Sequence, residues 1–407
     1  MSNNNRHSIL VVADAFGKPA YTPRLRYLCY YLVKQGWQVD VYTEQLEPLT
    51  FQHDYSITEI PIYRNRTWDW FIKSIGAVLF DWKSRYFAKQ VEARTAGKRY
   101  DIVFACTFLP TPLRAALKIA QAQHIPLHID LRDIDEQTAT NQYRAHSRWH
   151  SRMLHQWYRT INICRRNAIL QQTSSVSSVS PWHVRHLSQW NKHITLIYNG
   201  FDEQAFQPLD TSSKQFVITY TGRIYDAALQ DPVPFFEALR QMRIEGHLPH
   251  ELVVKWYTDE NSSQRMMKWA QHTHTTDLMQ VHPFVPTTEI PSLLHESSLV
   301  LVVSKKANEN GPHGIMTTKF FEALGVEKPV LCVPSDEECL AQVIEQTNAG
   351  IAATTVEEIQ TFILDKYAEW KANGFTRQAV NQEQKKLFTR QYQAQQFEQI
   401  FFNVIHE

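Results

Sequence analysis

Two consecutive α/β domains, each built on a parallel sheet, are predicted by the 407-residue sequence. Apolar runs of strand length alternate with segments whose apolar residues fall at helical spacing. The alternation pauses near residue 208 and then restarts, and the length exceeds what one hydrophobic core usually organises.

The first strand is residues 9–13, followed after a loop by RLRYLCYYLVKQGW, an amphipathic helix that Gly36 stops. QVDVYT supplies the next strand, and YDIVFAC (100–106) and IPLHIDL (125–131) flank the helical TPLRAALKIAQAQ. Strand, helix and strand in that order give parallel pairing with crossover helices. LDTSSK, near 208–214, has linker composition. The second series of strands is FVITYTG (216–222), ELVVKWYT (251–258), MQVHPFV (279–285), SLVLVVS (298–304) and PVLCVP (329–334). Ligands of open parallel sheets bind beyond the carboxyl ends of the strands, so the loops after Ala13, Cys106, Leu131, Gly222 and Ser304 are the places to look for chemistry. The first loop, DAFGKPAYTP, lacks GxGxxG, which argues against a nicotinamide or flavin enzyme.

Net charge is +1, yet residues 1–200 hold 25 Lys and Arg against 14 Asp and Glu, and residues 201–407 hold 17 against 27. The two halves therefore face different partners, the basic one an anionic surface or substrate. No nucleic-acid reading motif accompanies the basic half, so no nucleic acid is expected as a partner. Cys29, Cys106, Cys164, Cys332 and Cys339 form no CxxC pair, and buried thiols are expected in place of disulfides or a structural zinc. The opening MSNNNRHSILVVADAFG reads as a polar tail entering a strand, and no stretch is long and apolar enough to span a bilayer. A cytoplasmic location is expected.

GIMTTKFFEALGVEKPVL, residues 314–331, reads as a glycine-containing loop, a short helix and a buried strand. Thr317 or Thr318 offers an N-cap hydroxyl, and Phe320, Phe321 and Leu324 form the apolar face. Lys319 sits in the first turn, where a cation has the wrong sign for the helix dipole unless an anion lies against it. Glu322 follows Thr318 by four residues and can project from the same end, where a carboxylate suits ribose hydroxyls. The alternative is an ordinary surface helix with a Glu and a Lys on its wet side.

In VSPWHVRHLSQWNKHITLIYNGFDEQAFQP, residues 179–208, a strand ending at Ser180 leads to a helix, a second strand and a turn at Asn199 and Gly200. Here the chain resembles the family-4 retaining glycosyltransferases of the GT-B fold, of the capsule and lipopolysaccharide type. The resemblance extends to Arg24 in the first long helix, IDLRDID (129–135), YTGRIYD (220–226) and KFFEALGVEKPVL. It implies two Rossmann-like domains facing across a cleft: residues 1–208 on the acceptor side, residues 209–380 binding the nucleotide sugar, and a C-terminal helix (381–407) crossing back to the first domain. It further implies transfer from a UDP- or GDP-linked sugar to a saccharide or polyprenyl-linked acceptor, with retention and without a metal or other cofactor.

Carried onto this sequence, the resemblance makes Arg223, after Gly222 in the TGR turn, a holder of the donor diphosphate, as suits a fixed guanidinium fork. Lys319, Thr317 and Thr318 would touch the same diphosphate, and Glu322 would accept from the ribose. Phe284 and Val285 of VHPFVP (281–286) fall where the family clasps the base. Three departures stand out. A glutamate often found eight positions before the ribose carboxylate is Gly314 here, with Glu309 or His313 as substitutes; the lysine after the arginine is missing, with Gln230 and Asp231 in its region; and Cys106 and Thr107 replace a histidine after the third N-terminal strand. Arg24, Thr107, Asp130, Arg132 and Asp133 form the acceptor-side set, with a salt-bridged strand end as the plainer reading of the Asp130 cluster.

Residues 63–100 combine Trp68, Trp70, Phe71, Phe80, Trp82 and Phe87 with nine Lys or Arg. One reading is docking on an anionic membrane, at the inner face of the plasma membrane; the other is an amphipathic helix packed on the first sheet. A second basic helix, about 144–166, could share that surface, and its histidines His146, His150 and His155 lack carboxylate or cysteine partners for a metal. A GT-B-fold sugar-nucleotide epimerase and a non-catalytic nucleotide-sugar-binding scaffold are the competing functions.

Overall fold

A computed structural model of the chain describes residues 7–17, 23–49, 51–61, 82–107, 109–137, 149–224, 230–304 and 316–407. They form two compact units, Met1–Tyr198 with Arg390–Glu407, and Asn199–Thr389.

The first unit runs β1 (Ser8–Phe16), α1 (Pro23–Lys34), β2 (Gln38–Leu46), β3 (Ser56–Glu59), α2 (Trp82–Arg94), β4 (Ile102–Cys106), α3 (Pro110–Gln123), β5 (Leu127–Leu131), α4 (Trp149–Leu170), β6 (Ser175–Ser178), α5 (Pro181–Leu187) and β7 (Ile194–Leu196). Its seven strands are all parallel, in the order β3-β2-β1-β4-β5-β6-β7. β1 is buried on both faces, as central parallel strands are. Ile9, Val11 and Ala13 join the core that includes Leu25, Leu28 and Phe104, while Leu10 and Val12 point to the opposite core with Phe87, Leu113 and Ile119. That alternation is the period-two signature of a strand.

The second unit runs β8 (Phe216–Thr221), α6 (Val233–Ile244), β9 (Leu252–Tyr257), α7 (Glu260–His272), β10 (Met279–His282), α8 (Ile290–His295), β11 (Leu299–Val303), α9 (Thr318–Val326), β12 (Val330–Val333), α10 (Cys339–Thr347), β13 (Gly350–Ala352), α11 (Val356–Asn373) and α12 (Gln382–Lys386). Its six parallel strands lie in the order β10-β9-β8-β11-β12-β13. Trp256 is fully buried, stacked on Phe236 at 6.0 Å and beside Tyr220 at 4.8 Å. α11 starts from a reciprocal capping box between Thr355 and Glu358, which satisfies donors at both positions.

The last helix, α13 (Arg390–His406), belongs to the first unit. Phe397 and Phe401 pack edge-on against Phe104, each at 5.6 Å, and are 1% and 0% exposed. Burial of such rings contributes on the order of 2 kcal/mol each. The units divide at Tyr198, ten residues before the compositional linker, because Phe201 and Phe206 pack on Gly325 of α9, where an added Cβ would come within 2.8 and 2.7 Å of them.

His128 on β5 has no solvent exposure; its Nδ1 meets Ser175 Oγ at 2.7 Å, its Nε2 meets Ser177 Oγ at 3.0 Å, and it stacks on Phe104. Burial pushes its pKa down to about 4, with Asp130 pulling the other way. A base depressed by folding contributes stability that is complete above its free pKa of about 6.5 and is lost as pH falls toward the folded value. Urea denaturation should therefore show stability flat from pH 7 to 8 and falling between pH 6.5 and 4 by on the order of 3 kcal/mol from this group. His128→Leu should reduce that slope.

Candidate active site

In the second unit the strand order reverses between β8 and β11, which makes the loops after these two strands the ligand edge of the sheet. β8 is followed by Gly222, whose N–H donates to the Tyr257 carbonyl at 2.8 Å and whose φ is +117°, a conformation open to glycine and strained for other residues. The Lys319 side chain lies over this glycine: an added Cβ would stand 2.4 Å from Lys319 Cε and 2.8 Å from Nζ. The ammonium also sits 5.3 Å from the centre of the Tyr220 ring, a favourable cation–π distance. Thr317 is the N-cap of α9, its hydroxyl accepting from the Lys319 N–H at 3.3 Å, which selects it over Thr318. Thr318 is exposed, and Glu322 is half-buried one turn on.

Arg223 is steered by α7. Its Nε donates to Asp259 Oδ2 at 2.9 Å, while Asp259 Oδ1 caps that helix through the Ser262 N–H at 2.8 Å. Ser262 Oγ accepts from the Ile224 N–H at 3.0 Å, and the Tyr220 hydroxyl donates to the Arg223 carbonyl at 2.7 Å. Burial opposes ionisation of Asp259, but the Ser262 bonds and the Arg223 charge hold its pKa below the ordinary carboxylate value. With the arginine side chain 58% exposed, the pair stabilises the fold little; it aims the guanidinium, which lies 5.6 Å from the Phe284 ring centre. Sequence reading missed Asp259, although Asp followed by ENSS after a strand is an N-cap signal.

β10 is shorter than expected and ends at His282, so Phe284 and Val285 lie in the following loop, the first exposed and the second half-buried. His282 stacks on Tyr257 at 4.9 Å. His282 Nε2 and Thr258 Oγ1 are buried atoms without a hydrogen-bond partner among the described residues, both at the carboxyl ends of neighbouring strands. Glu309, His313 and Gly314 lie outside the described residues, as do Trp68, Trp70, Phe71 and Phe80. No group of three or more His, Cys, Asp or Glu among the described residues is arranged to hold a metal ion.

The acceptor-side set separates into a buried part and a surface part. Arg24 binds Asp130 through two bonds, Nε to Oδ2 at 2.9 Å and Nη2 to Oδ1 at 3.0 Å, and its Nη1 donates to the Tyr198 carbonyl at 2.7 Å. Asp130 also accepts from Ser177 Oγ at 2.6 Å, and Cys106 Sγ approaches at 3.6 Å. Both partners are buried; burial alone would raise the Asp130 pKa, and Arg24 with Ser177 keeps it low. This pair ties the end of β5 to α1. Thr107 is buried too, its hydroxyl accepting from the Leu109 N–H at 3.0 Å at the entry to α3. Arg132 is half-buried and Asp133 exposed.

Of the aromatic and basic segment, residues 82–94 form α2, in which Phe87 and Val91 are buried in the first unit's core and Lys83 pairs with Glu44 at 2.6 Å. This part packs on the sheet. Among the described residues no helix is long and apolar enough to cross a membrane.

Residues 24–205 match the family profile described as Glycosyltransferase Family 4. No curated protein matches the chain in sequence. Among solved structures, a sucrose-phosphate synthase from Thermosynechococcus elongatus is 15% identical, with a TM-score of 0.65 over 98% of this chain and 100% of that one. A glycosyltransferase from Rickettsia africae is 12% identical, with a TM-score of 0.65 over 98% and 99%. HepE from Anabaena, in complex with UDP and glucose, is 15% identical, with a TM-score of 0.65 over 98% and 100%. The same Anabaena protein has been solved with UDP-glucose. The chain has the two-sheet GT-B fold of these proteins, and its residues 24–205 resemble the Glycosyltransferase Family 4 model.

Proposed function

We propose that the chain transfers a sugar from a nucleoside-diphosphate donor to a saccharide or polyprenyl-linked acceptor, with retention and without a metal, in the building of a surface polysaccharide. The observation behind this is the meeting of the Lys319 ammonium, brought by the N-terminus of α9, with the Gly222–Arg223 turn at the switch point of the second sheet. Cleavage of the donor develops negative charge on the leaving phosphate, and Arg223, Lys319 and the first amides of α9 are the groups to stabilise it. Glu322 accepts from the ribose, Phe284 and Val285 border the base, and Glu309 or His313 substitutes for the donor-sugar carboxylate that the sequence replaces with Gly314. No general base is assigned, because the leaving phosphate can take the acceptor proton. HepE binds UDP and UDP-glucose, which favours a UDP-linked hexose over a GDP-linked one. Arg132 and Asp133 serve the acceptor side, and the aromatic residues preceding α2 dock the basic half on an anionic membrane at its cytoplasmic face.

Incubation with UDP-glucose, UDP-galactose and GDP-mannose, with and without saccharide acceptors, tests the reading through nucleoside diphosphate release. Release that acceptor accelerates is expected. An altered but intact sugar nucleotide would point to an epimerase, and binding with no turnover to a scaffold; either result would sink the proposal.

A further inference from the structure

The turn after β5 is pinned within the first unit. Arg159 on α4 donates to the Asp135 carbonyl at 3.1 and 2.7 Å, Arg166 on α4 grips the Glu136 carboxylate at 2.7 and 2.6 Å, and His186 on α5 approaches Glu136 Oε1 at 3.1 Å. A chain of hydrogen bonds also starts here. Gln137 Nε2 donates to Asp133 Oδ1 at 2.7 Å, and Gln137 Oε1 lies 2.8 Å from His183 Nε2. His183 Nδ1 lies 3.0 Å from Ser178 Oγ, which donates to the Leu131 carbonyl at 2.5 Å. Asp133 is exposed, whereas His183 and Ser178 are each 0% exposed. An accessible carboxylate at the carboxyl end of β5 is thus tied to the sheet interior through two side chains.

Counting protons along the chain is informative. A carbonyl only accepts, so the Leu131 bond uses the single Ser178 proton. The Gln137 amide cannot turn over without setting its oxygen against the Asp133 carboxylate. As arranged, both nitrogens of His183 must donate, which requires an imidazolium. Burial, however, pushes the His183 pKa down to about 4; Asp133 and Glu136 oppose the shift, and His186 and Arg166 add to it. Near neutral pH the ring has one proton, and one link must change. With the proton on Nε2, the Gln137–Asp133 link persists and the Ser178 hydroxyl rotates to donate to Nδ1. With the proton on Nδ1, two lone pairs face each other across the 2.8 Å gap to Gln137. A hydroxyl rotation is the smaller cost.

We propose that Gln137 and His183 are positioning residues for Asp133, with His183 neutral and protonated on Nε2, so that the carboxylate presents a fixed hydrogen-bond acceptor to hydroxyls of a saccharide acceptor. The inference rests on the acceptor-side reading of Asp133. NMR of the full chain with ¹⁵N-labelled histidine tests it. At pH 7 His183 should be the Nε2–H tautomer, and in Gln137→Leu, a change at a partly exposed turn residue, the His183 Nε2 resonance should shift as its acceptor is lost. An Nδ1–H tautomer, or a His183 Nε2 resonance unmoved in Gln137→Leu, would overturn the positioning role. Kinetics with the acceptor saccharide separates the two layers: Gln137→Leu and Asp133→Asn should each raise the acceptor KM about tenfold with the donor KM unchanged. If the NMR result holds and Asp133→Asn leaves the acceptor KM unchanged, the tether stands and the acceptor-side reading falls.

Discussion

Lys319→Met should lower kcat/KM for the nucleotide-sugar donor by roughly two to three orders of magnitude, because it removes a cation aimed at the point where transition-state charge develops. The Tyr220 contact is lost as well, at a cost of about 1 kcal/mol or less. A variant that folds yet is nearly inactive is therefore the expected result. Gly222→Ala should give a kinetic defect of the same kind, since its Cβ would occupy the space of Lys319 Cε, but with a stability loss of about 1–3 kcal/mol from the φ of +117°. Unchanged kcat/KM in Lys319→Met, measured by nucleoside diphosphate release, would remove this residue from the site.

Arg24→Met should have the largest effect on stability, a loss of about 3–5 kcal/mol, because it leaves Asp130 ionised and buried with Ser177 and Cys106 as its remaining neighbours. The pH dependence supplies a second check. Asp130 has its pKa lowered in the fold, so the pair's contribution is present above the free carboxylate pKa of about 3.9 and is lost as pH falls through the folded value. Without Arg24, burial dominates and the carboxyl prefers its proton, so the deficit of the variant should shrink as the medium is acidified. Asp130→Asn in the Arg24→Met background should recover part of the loss at neutral pH. Urea denaturation from pH 4 to 8 measures both, and a deficit independent of pH would mean that the pair is not what the substitution disrupts.

The strands were legible wherever an apolar run filled both faces, as in SLVLVVS and PVLCVP. β3 and β13 escaped because an edge strand such as SITE or GIA is short and half-exposed and writes no such run. Lys319 was legible through its mismatch with the helix dipole, a local property. The partner of Asp130 was hidden for the opposite reason: a carboxylate at a strand end looks the same whether it faces solvent or an arginine 106 residues away. The tether on Asp133 was hidden likewise, since His183 meets Gln137 across 46 positions. Composition put the domain junction at LDTSSK, but the junction is set by where Phe201 and Phe206 find their cover on α9.

The seating of α13 on the first unit bears on the order in which the chain can be completed during synthesis. Domains usually close in sequence from the N-terminus. Here Phe104 waits for Phe397 and Phe401, and the Tyr198 carbonyl, already bound by Arg24, receives the Gln393 side-chain amide at 2.5 Å. The unit that begins first on the ribosome is thus finished last, after Asn199–Thr389 has all of its own strands. Until then one face of the N-terminal sheet has only part of its cover, from α1, so a nascent chain paused before residue 390 would expose apolar surface from strands made some three hundred residues earlier.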